Sequence, residues 1–246
     1  MRMWDMELLT AQRINPTTEP TTEGLLSWAD FSDPITITRF YEKTNYGTLG
    51  TITDRATGEN LTFSHNVGSI YFEQENNFLN LYTEDVFSRN KILSPSTPIQ
   101  NCVVLEFVFA DESYKDSQRW CPYFSDHFCQ YYSRDKFRAD SLLGWGRGDL
   151  QSPLIGTDVP VHILYQFKDG YLDGYVNGTQ LKHTQVNKNN FETTVLFSVS
   201  RQLKNGESNP TLPLRIGSIR LYERPLTDEE IQKNLQYEIS MGRLSL

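Results

Sequence analysis

Cysteine is scarce here: Cys102, Cys121 and Cys129 are the only three in 246 residues. So few in so long a chain exclude a dense disulfide scaffold, leaving either one bridge with an odd thiol or three free thiols. Three free thiols are the expectation, and they suit folding in a reducing cytoplasm. Zinc is disfavoured as well: Cys121, His127 and Cys129 lie close together, but the seven residues between the two cysteines exceed the spacing of a zinc knuckle. Positive charge is in deficit, with 23 Lys and Arg against 31 Asp and Glu and a net charge of -8. With no basic stretch to meet a phosphate backbone, a nucleic-acid partner is excluded. No apolar run approaches the roughly 20 residues that span a bilayer. The N-terminal stretch has no apolar core of an export signal, because Asp5 and Glu7 interrupt it. Gly-x-Ser-x-Gly, His-Glu-x-x-His and phosphate-loop patterns are all missing. The expectation is a complete translated product, folded in the cytoplasm and not inserted in a membrane.

What is present is alternation. Aromatic residues make up 13% of the chain, mostly Phe and Tyr, enough to fill a two-sheet core. Val161, Ile163, Tyr165 and Phe167 alternate with His162, Leu164 and Gln166, the pattern of a strand with one face on a core. Asp169-Gly170 and then Asn177-Gly178 follow, both suited to type I′ turns, so Val159 to Thr184 reads as a three-strand meander. Further strands are expected at Ile35–Tyr41, Thr48–Thr53, Asn60–Ser64, at 68–83 with a break near Asn76-Asn77, and around Val195, Phe197 and Val199. Val103 to Phe109 is the most apolar run and should be central. Near the C-terminus, Thr227 with Glu230 forms a capping box, Leu226 can staple onto Ile231, and Ile231, Leu235 and Ile239 give an apolar stripe. A helix is expected over about 227–240.

These stretches carry a resemblance. The strand, Asp-Gly, strand, Asn-Gly meander is similar to the laminin-G-like, concanavalin A-like jelly-roll family. Arg220, Tyr222, Arg224 and Leu226 with the following Thr-Asp-Glu-Glu-Ile resemble the family's last strand and closing helix, and Gly24 to Phe31 resembles its first strand. The resemblance implies an all-β sandwich of two antiparallel sheets with a short C-terminal helix, as one domain over 24–246. Residues 1–23 then form an arm, with Met3, Trp4, Met6, Leu8 and Leu9 as apolar anchors for assembly on a neighbouring subunit, and an oligomer is expected.

The family's hydrolases carry paired carboxylates on one strand, which this chain lacks, so no enzyme activity is expected. Many laminin-G-like domains hold calcium at a sandwich rim, and Asp169, Asp173 and Asn177 are the residues the resemblance offers for it; no other cofactor is implied. For glycans, the aromatic-rich stretch 111–149 supplies Trp120, Tyr123, Tyr131, Trp145, Arg147 and Asp149, with Trp145 between flexible glycines as the leading stacking platform. A lectin-like fold without an export signal points to a phage virion component, a decoration, fibre or adhesion protein that contacts other virion proteins and a host-surface glycan. The alternatives are a carbohydrate-binding module of a bacterial surface system and, disfavoured, a glycoside hydrolase.

Overall fold

Period-two alternation and two-residue turns build most of this molecule. The computed structural model describes residues 19–37, 47–65, 70–83, 102–111, 123–124, 129–133, 136–139, 148–152, 159–185, 199–200 and 214–245. In chain order the first strands are β1 (Leu25–Asp30), β2 (Thr36–Ile37), β3 (Gly47–Thr53), β4 (Asn60–His65), β5 (Ile70–Glu75), β6 (Phe78–Thr83) and β7 (Val104–Asp111). Next come β8 (Tyr123–Phe124), β9 (Cys129–Ser133), β10 (Lys136–Ala139) and β11 (Gly148–Gln151). The chain then forms β12 (Val161–Lys168), β13 (Tyr171–Val176), β14 (Thr179–Gln185), β15 (Val199–Ser200), β16 (Leu214–Tyr222) and the helix α1 (Asp228–Ser240). Of the expected strand at 195–199, only Val199 falls among the described residues.

The fold is an all-β sandwich of antiparallel sheets with one short C-terminal helix. Its main layer has eight strands in the order β14-β13-β12-β7-β16-β6-β5, with β1 also on β16. Along one edge β16 pairs with β7, while its other edge is shared by β6 at Leu214–Ile216 and β1 at Ser218–Tyr222. Five strands, β11-β10-β9-β8-β15, form a second sheet, and β2-β3-β4 form a smaller piece. The central place of β7 follows from its sequence. Leu105, Phe107 and Phe109 are buried on one face and Val104, Glu106 and Val108 on the other.

Turn chemistry sets the register. Lys168 pairs with Tyr171 and Val176 with Thr179, leaving Asp169-Gly170 and Asn177-Gly178 as two-residue loops. All four turn residues have positive φ (52°, 83°, 48° and 73°), as type I′ turns require. Asn76-Asn77, with φ of 52° and 64°, makes a third such turn between β5 and β6. On β13, Gly174 lets the second sheet approach. A Cβ there would sit 2.6 Å from Leu150 Cδ2 on β11 and 3.2 Å from Tyr165 Cε1.

The opposite face of the main layer carries α1. Thr227 accepts from the Glu230 amide and the Glu230 carboxylate accepts from the Thr227 amide, so the capping box forms. Leu226 and Ile231 lie in one buried cluster with Val104, Leu164, Tyr175 and Tyr222. At the far end the Gly242 amide donates to Ile239 O and the Arg243 amide to Glu238 O, a Schellman closure around Gly242 at φ 69°. The buried face of the helix is broader than the expected apolar stripe, because Asn234, Tyr237 and Glu238 are buried beside Ile231 and Leu235. The chain is tied down just ahead of Gly24, where the Thr21 amide donates to Asn234 Oδ1 and Tyr222 Oη donates to Thr21 O. Among the described residues, no helix is long and apolar enough to cross a membrane.

Candidate functional site

A buried polar network fixes the helix on the sheet. Alternation along β7, β12 and β16 sends Glu106, His162, Ser218 and Arg220 toward α1, and all four are fully buried. Glu238 accepts from Ser218 Oγ at 2.7 Å, from Arg220, and from Arg243 Nη1 at 2.8 Å. Glu106 accepts from Asn234 Nδ2 at 2.8 Å, meets His162 Nε2 at 2.6 Å and lies 3.3 Å from Arg220 Nη1. Asp30 meets Arg243, Tyr237 Oη and, at 3.1 Å, Arg55. Three carboxylates thus face three guanidiniums, and the Arg220 guanidinium also lies 5.1 Å from the Trp28 ring centroid and 5.0 Å from that of Tyr237. Burial alone would raise the Asp30 carboxyl, but Arg243, Arg55 and the Tyr237 hydroxyl hold it well below the usual carboxylate range. Burial likewise opposes the charged form of Glu106, and Arg220 and His162 outweigh it. With every carboxylate engaged by a cation, this network is a joint.

The joint sets one wall of a cleft. Its volume is about 860 Å³, between the meander and the start of α1, lined by Gln166, Lys168, Asp169, Tyr171, Asp173, Tyr175, Gln180, His183, Leu226, Thr227 and Asp228. Adjacent strands supply it at alternate positions: Gln166 and Lys168 from β12, Tyr171, Asp173 and Tyr175 from β13, His183 from β14. Register places Asp173 opposite both Gln166 and His183. His183 Nδ1 lies 2.6 Å from Asp173 Oδ1, and the imidazole stacks on the Tyr171 ring at 4.2 Å between centroids and 11° between planes. Gln166 bridges floor and wall: its Nε2 donates to Tyr175 Oη at 3.3 Å and its Oε1 accepts from the Leu226 amide at 2.9 Å. The Asp173 side chain is 9% exposed, whereas His183 is 58% exposed. Burial raises the Tyr175 phenol, and the Asp173 and Asp228 carboxylates raise it further. The arrangement offers a ring platform, a ring edge held by a carboxylate, and amide and carboxylate hydrogen-bonding groups.

Two of the residues expected to hold calcium, Asp169 and Asp173, line this cleft. The third does not join them, because Asp169 and Asn177 sit in the turns at opposite ends of β13. Six strand residues separate the two turns, about 20 Å at the usual rise. Asn177 Oδ1 accepts from the His162 amide at 2.9 Å, which ties the β13–β14 turn to β12. Among the described residues, no three His, Cys, Asp or Glu side chains converge as a metal set. Of the expected glycan residues, Tyr123 lies in β8, Tyr131 in β9 opposite Phe137, and Asp149 in β11 opposite Arg138. Trp120, Trp145 and Arg147 lie outside the described residues, as do Met3, Trp4, Met6, Leu8 and Leu9. Sequence reasoning passed over Tyr171, Tyr175, Gln166 and His183. Their signal was the meander itself, since two-residue turns fix which alternate positions of three strands share a face.

No known family's sequence profile matches the chain, and no curated protein matches it in sequence. Solved structures do match. Trypanosoma rangeli sialidase in complex with sialic acid gives a TM-score of 0.56 at 12% identity, over 90% of this chain and 34% of that one. The same sialidase as its 2,3-difluorosialic acid covalent intermediate gives 0.57 at 12% identity, over 92% and 36%. The botulinum neurotoxin serotype D ligand binding domain in complex with N-acetylneuraminic acid gives 0.54 at 11% identity, over 88% and 51%. The chain spans about a third of the sialidase's length and about half of the toxin domain's. At such identities the likeness is one of fold alone, a β-sandwich.

Proposed function

We propose that the chain is a non-enzymatic, glycan-binding domain of the laminin-G-like, concanavalin A-like group, and that the cleft beside the helix N-terminus is its ligand site. The observation that carries this reading is the pairing of Tyr171 with the Asp173-held His183 at the edge of an 860 Å³ cleft that also presents Gln166, Gln180 and Asp228. Saccharides have apolar C–H faces and directional hydroxyls, so a recognition site needs a ring platform beside a few placed polar groups. The relatives named above were solved with sialic-acid-type ligands, and this supports a glycan by fold analogy alone. A binding role is favoured over hydrolysis because Asp173 is engaged by His183 and the sequence offers no strand with the paired carboxylates of this fold group's hydrolases. The virion setting inferred from the sequence gains no support from the fold or its relatives, so the proposal concerns the ligand.

The test is a glycan array with the full chain, read beside Tyr171→Ala and Trp145→Ala, with thermal melting as the control on folding. Loss of the Tyr171 ring should weaken binding about fivefold, corresponding to roughly 1 kcal/mol of ring contact. A blank array, or Tyr171→Ala binding like the unaltered chain, refutes this site. Loss with Trp145→Ala alone moves the site to the stretch around Trp145.

A further inference from the structure

We infer that the cleft discriminates by charge, taking amine-bearing saccharides best, neutral ones next and carboxylated ones last; this rests on the glycan-binding reading above. The geometry behind it is an imbalance along the walls. Asp169 and Asp228 stand exposed on opposite sides, one in the β12–β13 turn and one in the first turn of α1, and Asp173 lies in the floor. Among the described residues, Lys168 is the one lysine or arginine lining the cleft, so their charges sum to net negative even with His183 protonated. The field reaches into the space a ligand would fill. Tyr175, in the floor, has its phenol raised first by burial and then by the Asp173 and Asp228 carboxylates. The helix N-terminus gives no offsetting anion site, because its first turn carries Asp228, Glu229 and Glu230. Arg224, the nearby guanidinium, is committed to Glu230, with Nη1 donating to Oε2 at 2.9 Å. A sialic acid carboxylate would therefore enter against like charge, whereas a free hexosamine amine would find two exposed acids within reach. Such a cleft would not share the sialic-acid ligands of the sialidase and toxin-domain complexes described above.

The experiment is an array printed with amine-bearing, neutral and carboxylated members of each glycan core, followed by calorimetric titration of the hits. Partly solvated charges at ligand distance give contrasts of about fivefold between successive classes at low ionic strength, shrinking in about 0.5 M salt. The control is Asp169→Asn with Asp228→Asn, which should flatten the rank order across the three classes. Asn tolerates the positive φ of 52° at position 169, so that turn is preserved. A carboxylated glycan that binds through the cleft, as shown by loss with Tyr171→Ala, at least as tightly as its neutral core overturns the charge inference and leaves the glycan site standing. An unchanged rank order in the double variant also overturns it. A blank array overturns both readings together.

Discussion

Glu238→Gln is the sharpest probe of how the helix is held. Gln has nearly the volume of Glu, so the change removes charge without opening a cavity. Glu238 is fully buried and accepts from Ser218 Oγ at 2.7 Å, from Arg220, and from Arg243 Nη1 at 2.8 Å. Neutralising it leaves Glu106, at 3.3 Å, as the carboxylate on Arg220, and Asp30 as the carboxylate on Arg243. An exposed ion pair would be worth about 0–1 kcal/mol, but removing one partner of a buried network costs about 3–5 kcal/mol, because two interior guanidiniums each lose a carboxylate partner. Total stability of a domain is about 5–15 kcal/mol, so this is a large share of it. At about 2–4 °C per kcal/mol for a chain of this size, the midpoint should fall by about 6–20 °C by calorimetry or circular dichroism. Adding Arg243→Met removes one of the two guanidiniums that lose this partner, and the double-mutant cycle should show a coupling of about 1–3 kcal/mol. A midpoint within about 2 °C of the parent, or a strictly additive double variant, would refute the claim that these charges act as one buried network.

Acid should unfold the protein through the same network and through the helix cap. Asp30 and Glu106 are held below their usual range, and Arg224 beside Glu230 lowers that carboxyl to about 2. Depressed folded values mean that the stabilisation is complete above the unfolded carboxylate range near pH 4 and is lost as pH falls through the folded values. The midpoint should therefore be level from neutrality to about pH 5 and drop steeply below about pH 4; a flat profile down to pH 2.5 would contradict this. Gly174→Ala places a methyl 2.6 Å from Leu150 Cδ2 and should cost about 1–3 kcal/mol in urea unfolding, with partial recovery on adding Leu150→Ala. Cys102 is buried and its thiol is pushed up to about 12 by burial, so it should react with thiol reagents only on unfolding; labelling at the native rate of an exposed cysteine would show otherwise.

The sequence by itself determined the strands and turns that rest on local physics. Asp169-Gly170 and Asn177-Gly178 need positive φ at both positions whatever surrounds them, so the meander could be read from four residues. Thr227 and Glu230 satisfy each other's amides within one turn of helix, so the start of α1 was equally legible. The apolar run at Val104–Phe109 put β7 at the centre, because only a strand covered on both faces tolerates such a run.

Tertiary structure decided what the polar residues do. Asn234, Tyr237 and Glu238 would read as the solvated side of an amphipathic helix, yet they are buried. Their partners, Asp30, Glu106, Arg220 and Arg243, come from sequence positions up to about two hundred residues away. The cleft arose in the same way. Tyr171, Asp173 and His183 meet because cross-strand register brings them together, and Asp228 joins them only because the buried network seats the helix on the sheet beside the meander. Turns and caps are fixed by the bonds of neighbouring residues. A charge's role is fixed by which distant charge the completed sheet sets against it, and no local pattern encodes that.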